Sequence, residues 1–228
     1  MEPLIVDLPL RGEWIAPNTP GYKVPSHGTD QLAQTYAYDF LQIDWQFPIK
    51  KYRFFKKSFI PALLFGVRLN QCFCWSQPIY SPFDGEVVEA EDGIVERDPV
   101  HVLRDMGYVL KNAFFFRPPD HNYGLRPVIG NYIILKGVNC YAFFAHARKG
   151  SLLVQKGDIV KTGQQLAEVG HSGNSTAPHL HFHLMDDQDL MKAKGLPCCF
   201  REYEIFLDNR WERVKNGIPG RYDRIRAV

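Results

Sequence analysis

Polar and apolar residues alternate strictly at one place in the chain, PHLHFHLMD at 178–186. Successive side chains of a strand point to opposite faces, so His179, His181 and His183 share one face and Leu180, Phe182 and Leu184 the other. A helix would turn residues two apart about 200° from each other. The segment therefore predicts a strand with an apolar back and an imidazole front. Elsewhere, short runs rich in Val, Ile, Tyr and Phe lie between Gly, Pro and Asp punctuation: IYSPFDGEVVEAEDG, GNYIILKGVNCYAFFAHA, SLLVQKGDIV and QQLAEVG. That pattern predicts a mainly β domain. PCCFREYEIFLDNRWERV adds two C-terminal strands, within about 197–228, around a turn at Asp208-Asn209. TYAYDF, read as a strand, places Tyr36, Tyr38 and Phe40 on one face and Ala37 and Asp39 on the other.

One segment has a different period. Val102, Leu103, Met106, Val109, Leu110 and Ala113 recur at about 3.6 residues, after Asp98 as a cap and Pro99 at the first helical position. The spacing predicts a helix over about 99–114. It belongs to an insertion of about 98–130 whose RPPDHNYGLRP stretch reads as a loop. With no low-complexity tract or linker in between, the expectation is one domain over 1–228, with its core at about 20–186.

Composition narrows the picture. A chain of 228 residues, 45% hydrophobic, can bury a sizeable core. A net charge of +2 gives no electrostatic case for nucleic acid or a membrane surface as partner. KKYRFFKK at 50–57 reads as a solvated loop or hairpin edge, and FIPALLFGV at 59–67 is far shorter than the ~20 residues of a membrane helix. The five cysteines are odd in number and lack C-x-x-C spacing, which argues for free thiols. A site joining Cys72, Cys74, Cys198 and Cys199 has no spacing to support it. MEPLIVDLPLRGEW lacks a basic start, and Asp7 and Pro9 interrupt its apolar run; it does not read as a secretory signal, so residence is expected in the cytoplasm.

The histidine strand carries the chemistry. Imidazole is a common zinc ligand, and two His with one carboxylate leave an open position for catalysis. Partners for the strand can come from His27, His101, His121, His146, His171, Asp30 or Asp39. If the Ala37/Asp39 face is buried, an ionised Asp39 needs a counter-charge or a metal.

PVIGNYIILKG, followed by FFAHARKGSLLVQKGDIVKTGQQLAEVGHSGNSTAPHLHFHL, resembles the core of the lysostaphin/LytM-type zinc metallopeptidases over about 76–184, with the His27–Asp39 region upstream. Their pattern is an upstream His…Asp pair, a lone His in AH-x-x-x-GS, and His-x-His after G-x-SG-x-S-x-x-PHLHF. The resemblance implies a single antiparallel β domain of that type, related to the biotinyl/lipoyl hybrid folds, with the helix inserted. It implies one Zn²⁺ held by His27, Asp39 and His181, with a water completing the site. It also implies that His146 and His179 serve as base, acid or oxyanion stabiliser. Asp39 follows His27 by 39 − 27 = 12 residues and matches a long-spaced branch with YAYDF. The commoner four-residue spacing falls on Gln31, which leaves Asp30 as the alternative ligand. His171 stands where the family usually has Asn, and a loop hydrogen bond is expected of it. His183 replaces a polar non-His residue and is expected to be a bystander.

The activity so implied is zinc endopeptidase action on short peptides, the stems or cross-bridges of peptidoglycan above all. Two other classes stand beside it. One is a non-catalytic module of the same fold that binds cell-wall peptide or a protein partner. The other is a carrier domain, suggested by PFDGEVVEAEDG and QKGDIVKTGQQLAEVG but lacking the modifiable Met-Lys hairpin tip.

Overall fold

Strand β6 (Asn131–Lys136), strand β7 (Tyr141–Ala147) and strand β10 (Leu180–Met185) form the middle of the molecule, and nearly every residue in them is buried. Their near-continuous apolar runs follow from being covered on both faces. Alternation divides them cleanly. Ile133, Leu135, Ala142, Phe144, Leu180, Phe182 and Leu184 enter the main core, while Tyr132, Ile134, Phe143, Ala145 and Met185 enter a second, smaller one. The computed structural model describes residues 2–46, 53–56, 62, 64–115, 117 and 121–228. Much of 50–57 and 59–67 lies outside the described residues.

The remaining strands are β1 (Leu4–Val6), β2 (Glu13–Asn18), β3 (Tyr38–Leu41), β4 (Pro78–Tyr80), β5 (Gly85–Glu91), β8 (Ile159–Val160), β9 (Gln165–Glu168), β11 (Gly195–Leu196), β12 (Cys198–Leu207), β13 (Arg210–Gly217) and β14 (Ile225–Arg226). The large sheet runs β1-β12-β14-β2-β3-β10-β7-β6-β5-β8, with β11 on β10 and β13 on β12; β4 and β9 pair separately. The molecule is mainly β and its sheet antiparallel, as the sequence pattern leads one to expect, except that β1 pairs with β12 in parallel. The turn at Asp208-Asn209 has φ of 48° and 63°, the left-handed pair a tight two-residue hairpin requires. Among the described residues no helix is long and apolar enough to cross a membrane.

Two expected elements differ. Tyr36 ends a 3-10 helix over Gln31–Tyr36, so the strand begins only at Tyr38. The inserted helix α1 spans Val102–Phe115 and not 99–114. Asp98 does not cap it, because its carboxylate accepts the Leu69 N–H at 3.2 Å and faces Arg68. Asp105 instead accepts the His101 N–H at 2.9 Å. A short helix, α2 (Arg126–Ile129), leads into β6.

Candidate metal centre and cleft

The cleft is built where β3, β10 and β7 lie side by side. In the β3–β10 register His181 stands directly opposite Asp39, and in the β10–β7 register it stands opposite Ala145. Asp39 Oδ1 lies 2.9 Å from His181 Nδ1 and Asp39 Oδ2 lies 2.9 Å from His27 Nε2. One ligand atom from each of these three residues falls within 4.8 Å of the others, the only such group among the described residues. Asp30 is exposed at the start of the 3-10 helix and takes no part.

Each ligand candidate is held from behind. Ser26 Oγ lies 3.1 Å from His27 Nδ1 and donates to the Gln34 carbonyl, so it accepts the Nδ1–H and leaves the Nε2 lone pair facing Asp39. His183 Nδ1 lies 3.1 Å from His181 Nε2, which frees His181 Nδ1 on the Asp39 side. His183, expected to be a bystander, is fully buried and within hydrogen-bond distance of His181. Asn18 donates to Asp39 Oδ2 at 2.7 Å, across a bulge in the β2–β3 register. No residue pattern marks Asn18, whose place depends on that bulge.

The donor set suits a divalent cation. Two imidazole lone pairs and a carboxylate converge, and His₂Asp is a set zinc accepts with a position to spare. Burial would raise the Asp39 pKa, but the charges of His27 and His179 and the hydrogen bonds of His181 and His27 outweigh it and hold the carboxyl well below the usual range. Burial pushes His181 down despite Asp39 beside it, which favours the neutral, ligating form.

His146 and His179 flank this group, with ring centroids 4.8 Å apart. Plain alternation along β7 would turn His146 into the main core with Phe144. It faces the cleft because β7 carries an extra residue there: Asn131 pairs with Ala147 but Ile133 with Phe144, and His146 has φ of 64°. A bulge of this kind re-aims a side chain. His146 Nδ1–H donates to the Ser172 carbonyl at 2.8 Å, and His179 Nδ1–H donates to the Ala177 carbonyl at 2.7 Å. Both Nε2 atoms therefore point lone pairs into the cleft, and His179 Nε2 lies 3.6 Å from Asp39 Oδ1. Burial, and then the charges of His179 and His181, push His146 well below the ordinary histidine range.

The loop carrying GHSGNS needs its glycines. A Cβ on Gly170 would come within 2.4 Å of the Arg148 nitrogen, and Gly173, at φ 66°, packs against Gly130 and Val128. The cleft encloses about 440 Å³, and the insertion contributes Val109, Val128 and Ile129 to its wall. His101 lies at the foot of α1 and His121 is exposed; neither lines the cleft. All five cysteines are free, four of them buried.

A histidine–aspartate–histidine group on an antiparallel sheet, with two further imidazoles beside it, is a group that could hold a metal ion. Residues 121–193 match Peptidase family M23, the LytM/lysostaphin kind. His146, His179 and His181 lie inside the matched stretch, while His27 and Asp39 lie upstream of it. The chain is 40% identical over 71 residues to the peptidoglycan DD-endopeptidase ShyB of Vibrio cholerae, covering 29% of this chain and 16% of that protein. It is 38% identical over 60 residues to the peptidoglycan DD-endopeptidase ShyA of the same organism, covering 26% and 14%. These matches thus take in only a small part of either relative. A crystal structure of a zinc-containing peptidase from Vibrio cholerae aligns over 85% of this chain and 40% of that one, at 22% identity and a TM-score of 0.38.

Proposed function

We propose that the chain is a zinc-dependent endopeptidase that hydrolyses peptide bonds in the stem or cross-bridge peptides of peptidoglycan. The observation that carries the reading is the convergence of His27 Nε2, Asp39 and His181 Nδ1 beside two imidazoles whose Nε2 lone pairs face the same space. The names of the DD-endopeptidase relatives support the substrate class.

When bound, Zn²⁺ supplies a Lewis acid and lowers the pKa of a water ligand toward ~7. The chain's own groups do the rest. His27, Asp39 and His181 would hold the cation, and Asn18, Ser26 and His183 contact these three side chains from behind. His179, the nearer imidazole to Asp39, accepts the proton of the attacking water at Nε2 and returns it to the leaving amine. His146 stays neutral, so its Nε2 accepts a hydrogen bond and orients the water or the amine. The apolar wall of Val109, Val128 and Ile129 limits water around the peptide.

The test pairs metal analysis with hydrolysis. The purified protein is expected to hold about one zinc per chain and to cleave peptidoglycan-derived peptides, and His181→Ala to lose both together. A wild type that takes up no supplied zinc would point instead to a binding module.

A further inference from the structure

The charge of the chain is unevenly placed. Residues 46–70 hold six Lys or Arg and no Asp or Glu, and the rest of the chain holds 21 basic residues against 25 acidic ones. The small net charge of the whole therefore conceals a basic segment and an acidic remainder. The fold joins the end of that segment to the base of α1. The Val67 N–H donates to the Val100 carbonyl at 2.8 Å, and the Val100 N–H donates back to the Val67 carbonyl at 2.8 Å. Gly66, at φ 71°, lies so close to Val100 that a Cβ would come within 2.6 Å of its carbonyl oxygen. Phe55, Ala62, Val67, Leu69, Cys72 and Val100 form a small core of their own beneath this junction.

An apolar surface lies beside these cations. Leu103, Met106 and Leu110 recur at i, i+3 and i+7, so they form one stripe along α1, and all three are exposed. Phe65, next to exposed Leu64 at the base of the helix, is 73% exposed, and Phe115 at its far end is 78% exposed. The stripe is on the opposite side of the helix from Asp105 and Asn112. Those two meet Arg97, Arg104 and Asn174, so docking on the stripe would leave the cleft side of α1 untouched. The one acid of α1 is thus turned inward. Asp98, at the junction, is taken by Arg68. What stands beside the stripe is exposed Lys111, with exposed Arg117 just past the helix, and neither has an acidic partner among the described residues.

We propose that this face docks on the surface of an anionic lipid bilayer, its Leu, Met and Phe side chains entering the boundary between headgroups and acyl chains and its Lys and Arg meeting lipid phosphates. A stripe of bulky apolar residues bordered by cations is what an interfacial helix presents. It lies on the bilayer, so it needs none of the length of a spanning helix. Nucleic acid would satisfy the cations but leave the apolar side chains in water. A symmetric pair of copies would cover the apolar stripe but set Lys111 and Arg117 of one protomer near the same cations of its partner. The proposal does not depend on the peptidase reading.

The test is co-sedimentation of the full-length, zinc-loaded protein with vesicles of phosphatidylcholine containing about one-third phosphatidylglycerol, and with phosphatidylcholine alone. The wild type is expected to bind the anionic vesicles at least about tenfold more tightly than the neutral ones. Leu103→Gln/Leu110→Gln removes the centre of the stripe, and Lys111→Glu/Arg117→Glu reverses its cations. Each pair should weaken binding to anionic vesicles by at least about tenfold, without change in zinc content. The second pair carries the test alone if the first does not fold. A wild type that leaves anionic vesicles unbound, or binds both kinds equally, would overturn the proposal. So would binding that survives both pairs, which would place the contact elsewhere on the molecule. Loss with Lys111→Glu/Arg117→Glu but not with a folded Leu103→Gln/Leu110→Gln would make the face a plain polyanion site and overturn the bilayer. A wild-type dimer that ignores vesicles and dissociates in Leu103→Gln/Leu110→Gln would assign the stripe to a second copy and overturn it too.

Discussion

Strand β10 and helix α1 are both two-faced in sequence, and the fold uses them in opposite ways. β10 sends Leu180, Phe182 and Leu184 into the main core and turns its histidines to the cleft, as its alternation suggests. α1 turns Asp105, Tyr108 and Asn112 toward the protein, while Leu103 and Leu110 are 69% and 51% exposed and Met106 is exposed with them. An apolar stripe on a helix ordinarily faces the core. The difference teaches that periodicity separates two faces but does not say which goes inward. A polar face can be buried when every group on it finds a partner. On α1 Asp105 meets Arg97, Arg104 and His171, Asn112 donates to Asn174 at 2.5 Å, and Arg97 stacks over the Tyr108 ring.

The largest effect should come from the cleft side of β10. Asp39→Ala should take bound zinc from about one per chain to none by elemental analysis, because Asp39 stands between both candidate ligands, His27 and His181. Asp30→Ala should leave it unchanged. The reverse result would move the carboxylate ligand to Asp30 and undo the β3–β10 pairing as the basis of the site. The core side of β10 should respond in stability instead. Phe182 packs against Phe144, Phe200 and Tyr38 with ring centroids 5.3 to 6.5 Å apart. Phe182→Ala should cost about 3–5 kcal/mol in urea unfolding, and the folded fraction should still bind zinc. Loss of zinc at an unchanged unfolding midpoint would mean that the two faces are not separable.

How much of this could be read beforehand depends on the range of the interaction. The alternation of β10 and the Asp208-Asn209 turn are local, and both are legible in a few residues. Asp39 and Asp30 are both candidates in sequence; what brings Asp39 beside the histidines is a cross-strand pairing with His181, 142 positions away. His146 was legible from its motif, but its direction depends on a bulge and a left-handed φ that no apolar pattern encodes. Asn18, His183 and the Asp105–His171 contact were hidden for the same reason. Each is defined by what it touches, and the touching groups come from segments that only the finished fold brings together. The late start of α1 is a further case, since the carboxylate expected to cap it is engaged by Leu69.

The smallest expected effect is also the sharpest probe of the inverted helix. Leu110 is in the apolar stripe that periodicity alone would bury, yet half its surface is exposed. Gln has nearly the helix propensity of Leu, so Leu110→Gln tests burial and little else. An exposed site should change unfolding free energy by no more than about 0.5 kcal/mol. A buried leucine would lose about 2–5 kcal/mol on truncation to Ala, and placing an unpaired amide there would cost no less. Equilibrium urea unfolding separates the two outcomes. A loss near the larger figure would mean that this face is covered in solution, and that α1 is held by its apolar stripe as well as by Asp105. A loss near zero would leave the polar contacts of Asp105, Tyr108 and Asn112 as what anchors the helix to the cleft.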